Sequence, residues 1–131
     1  MRRRSAKAVL KATSGVIIKA DPFGFEILVW PGVDNFIDGT NEIFDLKQEK
    51  ERDGADGLAT YYENDITGKR KFAIMIPAEW DEDTVWHECL HMCWFILDYA
   101  GVIINGDNHE IQCYLQQSLV QQIRDAWGRV K

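Results

Sequence analysis

Cysteine, histidine and proline are scarce in this chain, three of each. An odd cysteine count leaves one thiol over in any pairing scheme. Cys89 and Cys93 lie one helical turn apart, where a bridge would constrain nothing. A disulfide framework is therefore not expected, and a reducing, cytosolic setting fits. No apolar run approaches the roughly 20 residues that span a bilayer, so no membrane partner is expected. The basic start, Met1 to Lys7, is not followed by a continuous apolar stretch, because Lys11, Thr13 and Ser14 interrupt it. A secretory signal is not expected either. Internal repeats and low-complexity blocks are lacking as well.

What remains is an ordinary globular composition. The 131 residues are 46% hydrophobic and 27% charged, enough chain for one domain with its own core. The net charge of −6 is unevenly spread, since Arg2, Arg3, Arg4, Lys7 and Lys11 crowd the first eleven positions. The rest of the chain is correspondingly more acidic. An acidic body argues against nucleic-acid binding, which is dominated by phosphate contacts, except through the basic arm. The division expected is a basic N-terminal arm over 1–12, loose and solvated, and a single domain over 13–131.

Strand chemistry is concentrated at 16–20 and 25–30, rich in β-branched and aromatic residues, with Asp21-Pro22-Phe23-Gly24 as the turn. From Asp34 to Gly57 the chain turns polar and reads mainly as a surface excursion, with a short helix near Ile43, Phe44 and Leu46 at most. Segments 58–63 and 71–76 predict a second hairpin around the loop 64–70. Asp81 or Asp83 offers an N-cap for a helix over 84–99, ended by Gly101. A last helix is expected from about 107 to 127, with Ile111, Leu115, Leu119 and Ile123 on its packed face. Two hairpins followed by two helices make an α+β pattern.

The first of those two helices carries His87-Glu88-Cys89-Leu90-His91. Histidines at i and i+4 share one helix face, where two imidazole nitrogens can reach one ion. In zinc peptidases with this arrangement the glutamate after the first histidine is not a ligand. It takes the proton of the metal-bound water as the carbonyl is attacked and passes it to the leaving amine. Zinc is the expected cofactor, with His87 and His91 as ligands and Glu88 as the general base.

A hydrolytic zinc site needs a third protein ligand and one open position. The metzincin continuation requires glycine at 94 and histidine at 97, but Trp94 and Leu97 stand there. Glu110, nineteen positions after His91, suits the gluzincin logic of a carboxylate returning on the next helix. It has a second explanation, because Asp107 and Glu110 have the spacing of a capping box. His109 is the rival ligand, and Asp98 and Asp107 are weaker ones. Tyr114, one turn beyond Glu110, would donate to a developing oxyanion if it lay near the metal. Otherwise it is a helix aromatic with its hydroxyl at the surface. Cys89, Cys93 and Cys113 read as thiolate ligands of a structural site or, more commonly, as small buried hydrophobes.

The residues Trp86 to His91, Ile96 to Asp98, Asp107 to Glu110 and Tyr114-Leu115 together resemble small phage-encoded zincin-like proteins of the His-Glu-x-x-His, gluzincin type. The resemblance covers about the last third of the chain. It implies a minimal zincin-like domain, in which a small sheet packs on the motif helix and a C-terminal helix. It also implies His87, His91 and Glu110 as zinc ligands, with Glu88 as general base. The implied activity is peptide-bond hydrolysis on a narrow protein or peptide substrate, in the host cytoplasm or the virion. The alternative is a virion or assembly protein, engaging phage structural proteins, that keeps the fold and the zinc without turnover.

Overall fold

The two expected hairpins form, and a parallel pairing joins them into one sheet. In the computed structural model, which describes residues 4–49 and 56–128, β1 (Val16–Ala20) pairs antiparallel with β2 (Phe25–Pro31) across the Asp21–Gly24 turn. The second antiparallel pair is β3 (Leu58–Glu63) and β4 (Arg70–Ile76). β2 and β4 lie side by side in parallel, so the order is β1-β2-β4-β3, with β1 and β3 at the edges. Phe72 to Ile76 are buried throughout, as an inner strand covered on both faces must be.

Strand alternation divides the core in two. Ile27, Val29, Phe72, Ile74 and Ile76 face the helices α3 (Glu82–Tyr99) and α4 (Glu110–Ile123), meeting Val85, Cys89, Met92, Leu115 and Leu119. Trp30, Ala73 and Met75 face the other way, onto α1 (Ala6–Ala12) and α2 (Val33–Phe44). The molecule is an α+β domain with helices on both faces of a mixed sheet.

Two expectations are corrected on the α1/α2 side. The N-terminal arm is not loose from residue 4 onward. Ser5 caps α1 by accepting from the Ala8 amide, and Val9 and Leu10 are buried. Arg4 pairs with Glu42 on α2, and the buried Trp30 indole donates to Thr13 Oγ1 at 2.8 Å. Two apolar residues per turn are too weak a pattern to announce a seven-residue helix. Only Trp30 and α2 give them something to bury against. Arg2 and Arg3 lie outside the described residues.

The excursion from Asp34 begins with the twelve-residue helix α2, in which Phe36, Gly39 and Thr40 are buried. Its interior glycine argues against a helix by propensity, but packing requires it. A Cβ at Gly39 would stand 2.4 Å from the Trp30 ring. Residues 47–49, the start of a charge run from Lys47 to Asp53, follow the helix, where the Asn41 side chain exchanges hydrogen bonds with the Gln48 backbone. Residues 50–53 of that run lie outside the described residues.

Candidate metal centre

Asp81 starts α3, its carboxylate accepting from the Thr84 amide and hydroxyl. The helix then runs eighteen residues with Val85, Glu88, Cys89, Met92, Cys93, Ile96 and Leu97 turned inward. His87 and His91 fall on the outward face, as the i, i+4 spacing requires. Their Nε2 atoms are 3.2 Å apart, and the rings meet edge to face at 74°. Two nitrogens each about 2.05 Å from a tetrahedral zinc would stand about 3.3 Å from one another. The pair is spaced to hold one ion between its nitrogens.

Glu88 has a different environment from its neighbours. It is 8% exposed, and its carboxylate makes no hydrogen bond or ion pair among the described residues. Among the described residues no fully enclosed side-chain oxygen is left without a partner, so the carboxylate is not sealed in. It opens onto a cleft of about 350 Å³ lined by Asp56, Gly57, Asp83, Thr84, His87 and Glu88. The wall of that cleft is the chain entering β3. A Cβ at Gly57 would stand 2.7 Å from Thr84 Cγ2, 2.9 Å from Glu88 Cγ and 3.0 Å from Glu88 Oε2. Glycine is therefore what lets an edge strand come down onto the motif helix. Asp56 also borders the larger, acidic cleft of about 670 Å³ formed with residues 77–82.

The other end of α3 is anchored by Arg70, whose guanidinium reaches Glu63 and Asp98 at 3.1 Å each and lies 4.3 Å from the Tyr61 ring centroid. Asp98 thus has an ion-pair partner that accounts for it without a metal. Cys89 and Cys93 are fully buried, and Cys113 is exposed. Burial pushes the Cys89 thiol far up, with Cys93 and Glu88 adding to it. It pushes Cys93 up to about 12, with Cys113 adding. Cys89 and Cys93 are packing residues, protonated at neutral pH.

On α4 the structure revises the alternative for Glu110. The helix begins at Glu110 with His109 as its N-cap residue, and the His109 side chain makes no capping bond. The Asp107–Glu110 capping box is not formed. The preceding loop is held instead by Asn105 and Asn108, whose side chains bond the amides of Asp107 and Asn105. Glu110 comes together with His109 and Cys113. The three offer ligand atoms within 4.8 Å of one another, all exposed. Among the described residues this is the one group of three such side chains at that spacing, so Glu110 is not that close to both His87 and His91. The cluster has a sequence signal that the helix reading passed over. His109-Glu110-Ile111-Gln112-Cys113 repeats the first motif with cysteine in its last place.

Tyr114 is 66% exposed and carries no hydrogen bond among the described residues. Trp86, Leu90 and Trp94 make an exposed apolar row beside the histidines, at four-residue spacing. Gln116 on α4 ties the two helices by donating to the Trp86 carbonyl at 3.0 Å, and Arg124 pairs with Glu82.

Fold and site together define a small α+β domain carrying a group of side chains close enough to bind a metal ion. Comparison with protein-family models, with curated proteins and with solved structures finds no match. Among the described residues no helix is long and apolar enough to cross a membrane.

Proposed function

We propose that the chain is a zinc-dependent peptidase of narrow substrate range, working at the cleft between α3 and the start of β3. One observation carries the reading. A histidine pair 3.2 Å apart at Nε2 adjoins a buried glutamate that has no hydrogen-bond or ion-pair partner among the described residues, and this glutamate and His87 both line the cleft. Imidazole and carboxylate donors suit zinc. When bound, zinc would polarise the scissile carbonyl and bring the pKa of water toward about 7. His87 and His91 are its proposed ligands, and Glu110 on α4 is the proposed third.

Glu88 is the general base. Its carboxylate opens onto the cleft from its wall and is placed to accept the proton of the attacking water and return it to the leaving amine. β3 is an edge strand, so its outer backbone groups are placed to bind an extended peptide by strand addition. Gly57 brings the beginning of that strand against Glu88, which is what a peptide lying along β3 would need to reach the base. Tyr114 stands exposed on α4, and this reading does not need it as an oxyanion donor.

A second reading is a non-catalytic virion or assembly protein that keeps the metal. It is favoured by the distance between Glu110 and the histidine pair, which leaves the proposed ligand set open. Glu88→Gln separates the two. Purified wild type is expected to hold about one zinc at His87 and His91 and to cleave a protein among phage and host lysates. The variant is expected to keep that zinc and lose cleavage. If both are equally silent while holding zinc, the peptidase reading fails and the assembly reading stands.

A further inference from the structure

The cluster on α4 is separate from the histidine pair, and its chemistry is not that of a packed helix surface. His109 and Cys113 stand at i and i+4, so their side chains rise from one face of the first turn, with Glu110 beside them. None of the three side chains makes a hydrogen bond or an ion pair among the described residues. All are exposed, and their ligand atoms are within 4.8 Å of one another. An ion bound at about 2.0–2.1 Å from nitrogen or carboxylate oxygen and about 2.3 Å from sulfur holds its donors roughly 3.3–3.8 Å apart. Exposed side chains close that remaining gap by rotamer changes.

We infer that the turn His109–Cys113 binds a second divalent ion of borderline softness, zinc being the physiological type and Co2+ and Cd2+ its probes. The donor set decides the class. Magnesium and calcium take oxygen ligands, whereas imidazole with thiolate selects zinc and its neighbours. Three protein donors at the surface leave the remaining coordination position to water, so the ion exchanges readily. The site exists whether or not the histidine pair hydrolyses anything. Glu110 is common to this site and to the proposed peptidase site, so the experiment reads the second site through its private donors, His109 and Cys113.

The test is a Co2+ titration of the full, reduced chain, followed by thiolate-to-cobalt charge-transfer absorption and by bound metal. Wild type is expected to take more than one equivalent and to develop the thiolate band with the weaker one. Cys113→Ser should abolish the band, and His109→Ala should weaken the ion that produces it about 10- to 100-fold, as loss of a metal-supporting group does. The double variant His87→Ala/His91→Ala should keep the band while losing the other equivalent, so failure of the peptidase reading and failure of this one look different. A band that survives in Cys113→Ser would place the ion on Cys89 or Cys93 and overturn the inference. Wild type taking no thiolate-bound Co2+ at all would overturn it equally. Circular dichroism of each variant checks folding, which substitution of three exposed side chains should leave intact.

Discussion

The two helices on one face of the sheet carry His-Glu-x-x-His and His-Glu-x-x-Cys, but the surroundings of the two turns differ. On α3 the glutamate is 8% exposed beneath the backbone of Gly57, while the histidines look outward. On α4 the glutamate, the histidine and the cysteine are all exposed. Spacing alone places two donors of each turn on a common face. What separates a candidate base from a candidate ligand is the backbone of Gly57 lying against Glu88 on one turn, while the side chains of the other turn stay exposed. The α3 carboxylate is mostly buried and opens only onto its cleft, whereas the α4 carboxylate stands exposed.

The largest effect that would break this contrast lies in the histidine pair. His91→Ala is expected to remove the α3 zinc altogether, with no hydrolysis detectable, as measured by metal analysis and cleavage assay. Zinc that persists at full occupancy would mean the pair is not the site. Next comes Glu88→Gln, expected to lower the cleavage rate about 10²- to 10⁴-fold, the range general-base catalysis supplies, at unchanged zinc content. Because the carboxylate has no hydrogen-bond or ion-pair partner among the described residues, thermal unfolding of this variant should come at the same temperature or higher.

Two glycines sharpen the comparison further. Gly57→Ala and Gly39→Ala each force a Cβ into a space already filled, at a cost of about 1–3 kcal/mol by the usual penalty of overpacking. Denaturant melts should show both losses. Only Gly57→Ala should also slow cleavage, since its clash falls on Thr84 and Glu88, whereas that of Gly39 falls on Trp30. Equal kinetic effects would remove the case for a strand-walled cleft. The smallest effect is expected from Tyr114→Phe, whose hydroxyl stands in water. A rate within about twofold of wild type is the outcome, against the 10²- to 10³-fold loss that removal of an oxyanion donor brings.

The hairpins and the last two helices were legible because each has a local cause. Asp21-Pro22-Phe23-Gly24 and the loop around Gly68 turn the strands, Asp81 caps α3, and Leu115, Leu119 and Ile123 mark one helix face. α1 and α2 were not legible, because Val9, Leu10 and Phe36 become core only when Trp30 is there to meet them. The parallel pairing of β2 with β4 has no local signal at all. It is a consequence of a helix crossing over and of β4 being apolar on both faces.

At the site, His87, Glu88 and His91 could be singled out from spacing, since a helix brings i and i+4 together in any context. Glu110 could be nominated but not placed. Its capping role depended on whether Asp107 or His109 began the helix, and the Asn105–Asn108 loop settled that by its own hydrogen bonds. Gly57 carried no signal, because a glycine in a polar stretch is ordinary until something packs on it.

The sequence by itself determined that one turn of one helix presents two imidazoles together, since helical periodicity needs no partner to act. Only the tertiary structure decided that Glu88 is withdrawn from water, that β3 and not β4 is the edge, and that Glu110 stands with His109 and Cys113. Those three depend on which surfaces meet, and burial is a property of neighbours that local sequence does not contain.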